Sequence, residues 1–294
     1  MGTRREFIRL SGGLALGSVL AQYACTPGKK NSSGYDNTSG NRLAAFGIQL
    51  YSLRDVMPKD PQGVLEQVAS FGYRQIESYE GPQGMFWGMG NTGFKKKMDE
   101  LGMTIVSSHC DINKEFEKKA AEAAAIGMKY LVCPWIGPQK SISDYRKMAG
   151  TFNQRGAICK KEGIRFAYHN HDYSFKAIDG EIPQDVLMKE TDPALVDFQM
   201  DIYWVVTAGQ DPVTWLEKYP GRFTLSHVKD RAKGATTTDA SCDLGTGSID
   251  FPMVLKAAKK NGMIYYVVEQ ERYPNGTSME AAKKNAEFMR RIEI

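Results

Sequence analysis

The sequence predicts an α/β protein whose strands and helices alternate around one closed (β/α)8, or TIM, barrel, preceded by an export signal and a flexible linker. Short apolar runs alternate with amphipathic stretches in units of about 25–35 residues, a pattern typical of parallel βαβ units. The chain has 294 residues, and a barrel of this kind takes about 250. No GxGxxG motif follows the first strand, which leaves a dinucleotide-binding sheet with little support.

Eight apolar runs are the candidate strands: Phe46–Ser52, Gln75–Ser78, Thr104–His109, Tyr130–Pro134, Ile164–His169, Val196–Asp201, Phe223–Lys229 and Ile264–Glu269. Helical stretches between them include Pro61–Phe71, Glu115–Ile126, Ser143–Lys161, Phe251–Lys260 and Met279–Arg290. In five turns a helix ends, a glycine takes the left-handed C′ position and a strand begins, at Gly72, Gly102, Gly127, Gly163 and Gly262. The barrel domain is therefore predicted to span residues 46–294.

Residues 1–25 are interpreted as an export signal. The twin arginine Arg4-Arg5 resembles a Tat signal, and a modest apolar run follows at 10–24. Cys25 stands where a lipoprotein is cleaved and acylated, although its flanking residues match that pattern imperfectly, so lipidation stays open. Residues 26–45 are rich in Ser, Gly, Asn and Lys and predict a flexible linker. We expect an exported, periplasmic protein whose membrane contact is a lipid anchor at Cys25, if that residue is acylated.

The net charge of +4 lies in the first 45 residues, which hold six basic and two acidic residues. The rest of the chain carries 32 of each sign and is neutral. A neutral barrel argues against a nucleic-acid partner, because such binding relies on Lys and Arg contacts to phosphates. None of the five cysteines forms a CxxC pair, which makes a thiolate zinc site improbable. The partner expected is a small molecule, and a homo-oligomer stays open.

Polar residues collect at the C-terminal ends of the predicted strands, where a β/α barrel carries its active site. All four histidines of the chain are among them: His109, His169, His171 and His227. Asp201 and Glu269 end the sixth and eighth predicted strands. Mixed imidazole and carboxylate ligands suit Mn²⁺, Co²⁺, Zn²⁺ or Fe²⁺ better than Mg²⁺, which prefers oxygen ligands but stays open. The pattern predicts one divalent metal ion.

From about Phe46 to the C-terminus, and most clearly in strands 5 to 8, the chain resembles the xylose isomerase-like barrels, the group of sugar phosphate isomerases/epimerases, ketose 3-epimerases and inosose dehydratases. The motifs that carry the resemblance are Tyr168-His-Asn-His-Asp172, Met200-Asp201, His227-Val-Lys-Asp230, Asp243-Leu-Gly-Thr-Gly-Ser-Ile-Asp250 and Val268-Glu269-Gln270. In that family, strands 5 to 8 supply Glu, Asp, His and Glu to one divalent metal. The resemblance implies that the matching ligands are His169, Asp201, His227 and Glu269.

His169 departs from the family pattern, because the ketose epimerases have a glutamate there that is both a ligand and a catalytic base. Imidazole can still bind a metal or accept a proton, but a symmetric two-carboxylate mechanism loses support. His171 is the alternative ligand, since strand alternation points residues 169 and 171 the same way. Glu269 or His169 is predicted to act as the base, and Lys229 to steady the developing negative charge on oxygen.

Substrate contacts are predicted from the remaining polar and aromatic residues near the strand ends: His109, Trp135, His171, Tyr51 and Arg272. Two loops carry open alternatives. The stretch 79–93, with Met85, Phe86 and Trp87, is either a lid over a sugar or a packing loop. The backbone of Gly245-Thr246-Gly247 is a weak candidate for a phosphate contact.

The leading hypothesis is a metal-dependent isomerase or epimerase that removes the proton next to the carbonyl of a sugar or keto-sugar and forms an enediolate. The second hypothesis is a lyase or hydratase acting on 3-keto-glycosides or 2-hydroxyglucals, favoured by the export signal and by His169. A third is an exported sugar-binding protein without turnover. Product analysis separates the first two, and sugar binding without product would indicate the third.

Overall fold

The computed structural model describes residues 42–294. Eight parallel strands close a barrel in the order β1-β10-β7-β6-β5-β4-β3-β2, which is the predicted (β/α)8 architecture. The barrel strands are β1 Gly47–Gln49, β2 Gln75–Tyr79, β3 Thr104–His109, β4 Tyr130–Cys133, β5 Arg165–His169, β6 Val196–Asp201, β7 Phe223–Val228 and β10 Tyr265–Val268. A separate antiparallel pair, β8 Asp230–Arg231 and β9 Ser241–Cys242, lies in the loop after β7.

The helices of the described residues are α1 Pro61–Phe71, α2 Gly90–Glu100, α3 Phe116–Ala125, α4 Ile142–Lys161, α5 Pro183–Glu190, α6 Ile202–Thr207, α7 Pro212–Lys218, α8 Phe251–Lys260 and α9 Ser278–Arg291. Two of the predicted helices match to the residue, and three differ by one residue at one or both ends. The glycine pattern is confirmed: Gly72 and Gly262, for example, have φ of 102° and 93°, which other residues adopt only with strain.

Two apolar layers hold the barrel. Outward-facing strand residues such as Ile76 and Phe166 pack against the helices in one large core. A smaller cluster of Val106, Tyr130, Val132, Ala167 and Leu225 forms a separate group inside the barrel. Because this cluster fills the interior, the barrel is a packed core rather than a pore, and polar groups lie above it.

Two β-bulges adjust the strands directly under those polar groups. The register between β2 and β3 shifts after Ile76, so that β3 carries one extra residue, Val106. A second shift between β6 and β7 adds Thr224. Each bulge changes which side chains point inward at one level of the barrel.

The predicted signal at 1–25, with Cys25, and most of the linker at 26–45 lie outside the described residues. Residues 42–45 have no regular secondary structure. Within residues 42–294, the model has no helix with the length and apolar character needed to span a membrane.

Candidate metal centre and cavity

A buried carboxylate, Glu77 at the middle of β2, organises the inside of the barrel. Its Oε1 accepts hydrogen bonds from Gln49 Nε2 at 2.8 Å and from the His227 ring at 2.5 Å. Its Oε2 accepts from Ser107 Oγ at 2.6 Å and Gln199 Nε2 at 2.7 Å. Burial works to raise the pKa of the Glu77 carboxyl, but His109 and His227 lower it to about 2. Glu77 is therefore a fixed negative charge beneath the strand ends.

His227 joins this lower layer to the residues above. Because its Nε2 must carry a hydrogen to donate to Glu77, its Nδ1 faces Glu269 Oε2 at 3.1 Å and Asp201 Oδ2 at 3.8 Å. Burial opposes a charged ring, but Glu269 and Glu77 raise the pKa of His227 well above its ordinary value. The charged ring carries a proton on Nδ1 as well, and a metal ion bound at Nδ1 would replace that proton.

The Gln199 amide orients two further histidines. Its Oε1 lies 3.0 Å from His169 Nδ1 and 2.8 Å from His109 Nε2. This arrangement leaves His169 Nε2 directed at Asp201 Oδ2, 3.7 Å away. His109 falls within ligand range of the other rings, but its Nε2 faces Gln199 and Glu77 instead.

Asp201 supplies the strongest indication of a cation. Its Oδ1 accepts a hydrogen bond from the Trp204 amide at 3.0 Å and caps α6. Its Oδ2 is fully buried and, within the described chain, has no hydrogen-bond partner. A buried carboxylate oxygen without a hydrogen bond is costly unless positive charge lies close to it, and the ammonium group of Lys229 is 3.9 Å away. Ligand atoms of Asp201, His227 and Glu269 lie within 4.8 Å of one another, and His169 Nε2 lies 3.7 Å from Asp201 Oδ2, so the four predicted ligands lie around Asp201.

Lys229 lies beside this cluster and is almost completely buried. Its Nζ donates to Glu269 Oε2 at 3.2 Å and to Glu271 Oε1, and lies 3.9 Å from Asp201 Oδ2. Burial alone would lower the pKa of Lys229, but Glu269, Asp201 and Glu271 raise it above its ordinary value. The ammonium group is therefore a positive charge next to the ligand carboxylates, consistent with the predicted charge-stabilising role.

A cavity of about 800 Å³ opens above the cluster. Four of the predicted substrate contacts line it, namely His109, Trp135, His171 and Tyr51, together with the ligands His169 and Glu269. Arg272 does not: its guanidinium donates to Asp239, with Nε 2.6 Å from Oδ2, and the side chain is exposed outside the lining. The structure therefore does not support the substrate contact predicted for Arg272, because a surface carboxylate draws its guanidinium away.

The structure also decides the two open loop alternatives. Phe86 and Trp87 are buried in the main core, and Trp87 Nε1 donates to Ser78 Oγ at 3.2 Å, so this part of the loop packs. The amides of Gly245 and Gly247 both donate to Asp230 Oδ2 at 2.9 Å. A carboxylate of the chain itself thus occupies the backbone site suggested for a phosphate.

Several residues of the site were not assigned a role from the sequence. Three of them lie inside apolar strands, namely Gln199, Ser107 and Gln49. A polar residue within an apolar run is the sequence signal that could have indicated a polar group inside the barrel. Glu77 carries the same signal, a charged residue inside a short predicted strand. Glu271 and Trp204 line the cavity from positions just beyond β10 and β6, and local sequence does not distinguish such positions from ordinary loop residues.

Comparisons with known proteins agree with this architecture. The model of a family described as xylose isomerase-like TIM barrel matches residues 65–292. A sugar phosphate isomerase/epimerase from Parabacteroides distasonis, of known crystal structure, is 30% identical, with a TM-score of 0.72 over 86% of this chain and 94% of that one. The IOLI protein, crystallised with a zinc atom, is 14% identical and shares the fold, with a TM-score of 0.68 over 83% of this chain and 95% of that one.

A shorter match joins the chain to a curated enzyme. The inosose dehydratase of Clostridium tetani is 30% identical over 146 residues, which is 45% of this chain and 48% of the dehydratase. The chain thus spans about half the length of the curated relatives it matches.

Proposed function

Because the chain belongs to the xylose isomerase-like TIM barrel family, we propose that it is a divalent-metal-dependent isomerase or epimerase acting next to the carbonyl of a sugar or keto-sugar. The observation that carries the proposal is the buried Asp201 Oδ2, which accepts no hydrogen bond in the described chain and faces His169 Nε2 and His227 Nδ1 at 3.7 and 3.8 Å. Such a mixed nitrogen and oxygen set suits Mn²⁺, Co²⁺, Zn²⁺ or Fe²⁺ better than Mg²⁺.

When bound, the divalent ion would polarise the carbonyl of the sugar as a Lewis acid. Glu269 both belongs to the ligand set and lines the cavity, so its carboxylate would take the proton from the carbon next to that carbonyl. Lys229, 3.2 Å from Glu269 Oε2, would stabilise the negative charge that develops on the substrate oxygen. His109 and His171 would orient the hydroxyl groups.

A lyase or hydratase is the second candidate, and two observations favour it. The match to inosose dehydratase joins the chain to an enzyme that eliminates water. His169 replaces the second carboxylate expected of an epimerase, whereas Glu271 lines the cavity next to Lys229 and could protonate a leaving group. Elimination from a 3-keto-glycoside would use the same proton removal by Glu269 and would expel the substituent at C1. Hydration of a 2-hydroxyglucal would run in the reverse direction, with water adding at C1 and Glu269 returning the proton to C2.

The experiment that tests the proposal has two measurements on the full chain. Mass spectrometry gives the metal content of the wild type and of the Asp201→Asn and His227→Ala variants. Proton NMR in D₂O then follows the hydrogen next to the carbonyl of a keto-sugar during incubation with the metal-loaded protein. We expect about one metal per chain, lost in both variants, and exchange of that hydrogen that Glu269→Gln abolishes.

Glu66→Gln is the control, because Glu66 is a surface residue paired with Lys97. A new stereoisomer or ketose would identify an isomerase or epimerase, and loss of a substituent would identify a lyase. A protein that binds metal and sugar but exchanges no hydrogen would instead be the non-catalytic sugar-binding protein. Failure to take up Mn²⁺, Co²⁺ or Zn²⁺ would refute the metal centre.

For cellular location, the N-terminal sequence supports the proposal of an exported, periplasmic enzyme with a lipid anchor at Cys25. Growth of the expressing cells with a radiolabelled fatty acid tests the anchor. Label on the wild type and none on Cys25→Ser would support it, and an unlabelled membrane-free protein would contradict it.

A further inference from the structure

We infer that the substrate is an uncharged glycoside, with its reacting sugar ring at the metal-ligand cluster and a second ring, sugar or planar aglycone, between Trp135 and Tyr51. The inference rests on the proposed function for the position of the reacting ring, and it extends that function by naming the substrate class. Three observations carry it: exposed aromatic side chains line the cavity, a carboxylate already occupies the backbone amides of the usual phosphate site, and acidic residues outnumber basic ones in the cavity lining.

Trp135 and Tyr51 are unusually exposed for their size. Their exposed fractions are 56% and 40%, and they are the two aromatic members of the four large apolar side chains that the described residues expose. Both line the cavity above the cluster. An exposed indole with an apolar face is a typical surface for stacking against a ring.

The barrel topology places these two residues on different sides of the opening. Tyr51 follows β1 and Trp135 follows β4. These strands are three places apart around the eight-stranded barrel, in which the largest possible separation is four places. Each is held by its neighbours. Tyr51 meets Tyr79 edge-on at 5.2 Å between ring centroids, and Trp135 meets Tyr173 edge-on at 4.9 Å. Fixed rings on either side of an opening can bind a ring between them.

Trp135 also lies a short way from the metal ligands. The His169 ring is 4.9 Å from the His171 ring, which is 4.5 Å from Trp135, measured between centroids. Two ring-to-ring contacts therefore connect the proposed ligand His169 to Trp135 in the cavity wall. A sugar held at the cluster would place its substituent next to Trp135.

The usual phosphate site of a β/α barrel is already filled here. That site forms from the loops after the seventh and eighth strands. In this chain the amides of Gly245 and Gly247, in the loop after β7, donate to Asp230 Oδ2, and those of Arg231 and Ile249 donate to its Oδ1 at 2.8 and 3.3 Å. A phosphate would have to displace a buried carboxylate, so this loop does not select a phosphorylated sugar.

The cavity walls also carry few of the cationic groups that bind a phosphate. Acidic lining residues outnumber basic ones, with Glu80, Asp111, Asp172, Glu269 and Glu271 against Lys114. Within residues 42–294, no arginine lines the cavity. Arg54 instead donates to the Glu271 carbonyl at 2.7 Å, and Arg272 pairs with Asp239. With one lysine and no arginine fork among the lining residues, a phosphate would lose more hydration than it regained in hydrogen bonds.

The size of the cavity fits a substrate with two rings. Its volume of about 800 Å³ lies in the upper part of the range of about 300–1,000 Å³ for small-molecule sites. A single sugar ring would fill only part of a cavity of this volume.

Isothermal titration calorimetry on the metal-loaded full chain tests the inference with four ligands: glucose, glucose 6-phosphate, cellobiose and phenyl β-D-glucoside. We expect the two glycosides to bind about 10-fold more tightly than glucose, through stacking. Glucose 6-phosphate should bind no more tightly than glucose. A larger gain for phenyl glucoside would identify a planar aglycone as the second ring, and a larger gain for cellobiose would identify a sugar.

Trp135→Ala should remove most of the glycoside gain, and its metal content verifies that the cluster beneath it is intact. Tyr51→Ala tests the other wall independently, in case the tryptophan variant folds poorly. Met253→Ala is the matched control, because Met253 is 54% exposed on α8 and outside the cavity lining. Tighter binding of glucose 6-phosphate than of both glycosides, or glycoside affinity unchanged in both aromatic variants, would overturn the inference.

The hydrogen-exchange measurement keeps the two proposals separate, because it requires only a keto-sugar at the cluster. Exchange without a preference for glycosides would leave the proposed function standing and refute the substrate class. A preference for glycosides without exchange would do the reverse.

Discussion

At the residue scale, the pair formed by Glu77 and His227 determines which ring nitrogen faces the metal position. Glu77 accepts from His227 Nε2 at 2.5 Å, and three further donors hold its carboxylate in place. A histidine ligand is commonly oriented by a carboxylate on its other nitrogen, and such a carboxylate also makes the ligand more basic. Glu77 is therefore a positioning residue for the metal centre.

Glu77→Gln should weaken metal binding while preserving the fold. The amide has nearly the same volume, but it removes the negative charge that fixes the His227 tautomer. We expect the dissociation constant for Mn²⁺ or Zn²⁺ to rise about 10–100-fold. Competition with a chromogenic chelator measures this change.

Glu66→Gln serves as the control, since Glu66 is an exposed residue that pairs with Lys97 and has no part in the proposed metal centre. Circular dichroism verifies that both variants are folded. An unchanged dissociation constant in folded Glu77→Gln would show that the carboxylate acts only in packing.

At the element scale, strand ends place the ligands and helix caps hold the surrounding elements. Asp201 ends β6 and also caps α6, so the helix cap holds a proposed metal ligand in place. The final helix, α9, begins with a capping box in which Thr277 Oγ1 accepts from the Glu280 amide at 3.2 Å. Glu280 Oε2 accepts in return from the Thr277 amide at 2.8 Å. This reciprocal pair satisfies two amides that a helix start would otherwise leave free.

Thr277→Ala should destabilise the protein by about 0.5–2 kcal/mol, the usual cost of losing a helix cap. Urea unfolding measures this loss as a lower midpoint at an unchanged slope. Lys283→Ala, at an exposed position of the same helix, should change the free energy of unfolding by less than about 0.5 kcal/mol. Equal effects of the two substitutions would show that the cap contributes nothing.

The capping box also predicts a dependence on pH. Hydrogen bonds from the Thr277 amide and hydroxyl lower the pKa of Glu280 below its usual 4.5. A carboxylate with a lowered pKa in the folded state stabilises the protein above its unfolded pKa, and this contribution is lost as the pH falls through the folded value. The difference in unfolding midpoint between wild type and Glu280→Gln should therefore be present at pH 7 and shrink below about pH 4. A difference that stays constant down to pH 3 would contradict this account.

At the scale of the whole molecule, we expect metal binding to be linked to folding, because the four proposed ligands come from four different strands or strand ends. A ligand that binds only the folded state stabilises it by about 2.7 kcal/mol at 100 times its dissociation constant. For a domain of this size we expect Tm to rise by about 5–10 °C at that concentration of Mn²⁺ or Zn²⁺. Differential scanning fluorimetry with and without EDTA measures the shift.

Asp201→Asn is a suitable variant for this experiment, because its remaining carbonyl oxygen can still accept from Trp204 and cap α6. The variant should retain the Tm of the metal-free wild type and lose most of the rise with metal. A full rise in Asp201→Asn would place the ion elsewhere.

The sequence by itself determined the barrel, because alternation of strands and helices and the glycines between them are local properties. It also located the polar strand ends, since a parallel barrel brings all of them to one face. The four proposed ligands followed from motifs at those ends, and the structure brings these residues together.

Only the tertiary structure decided what each polar group faces. The sequence does not show that Asp230 accepts hydrogen bonds from the amides of Gly245 and Gly247. Nor does it show that Arg272 pairs with Asp239, or that Glu77 orients His227. These pairs are distant along the chain or cross a loop, and bulges such as the one at Val106 change which side chains point inward. Contacts of this kind depend on the closure of the barrel, and local sequence does not encode them.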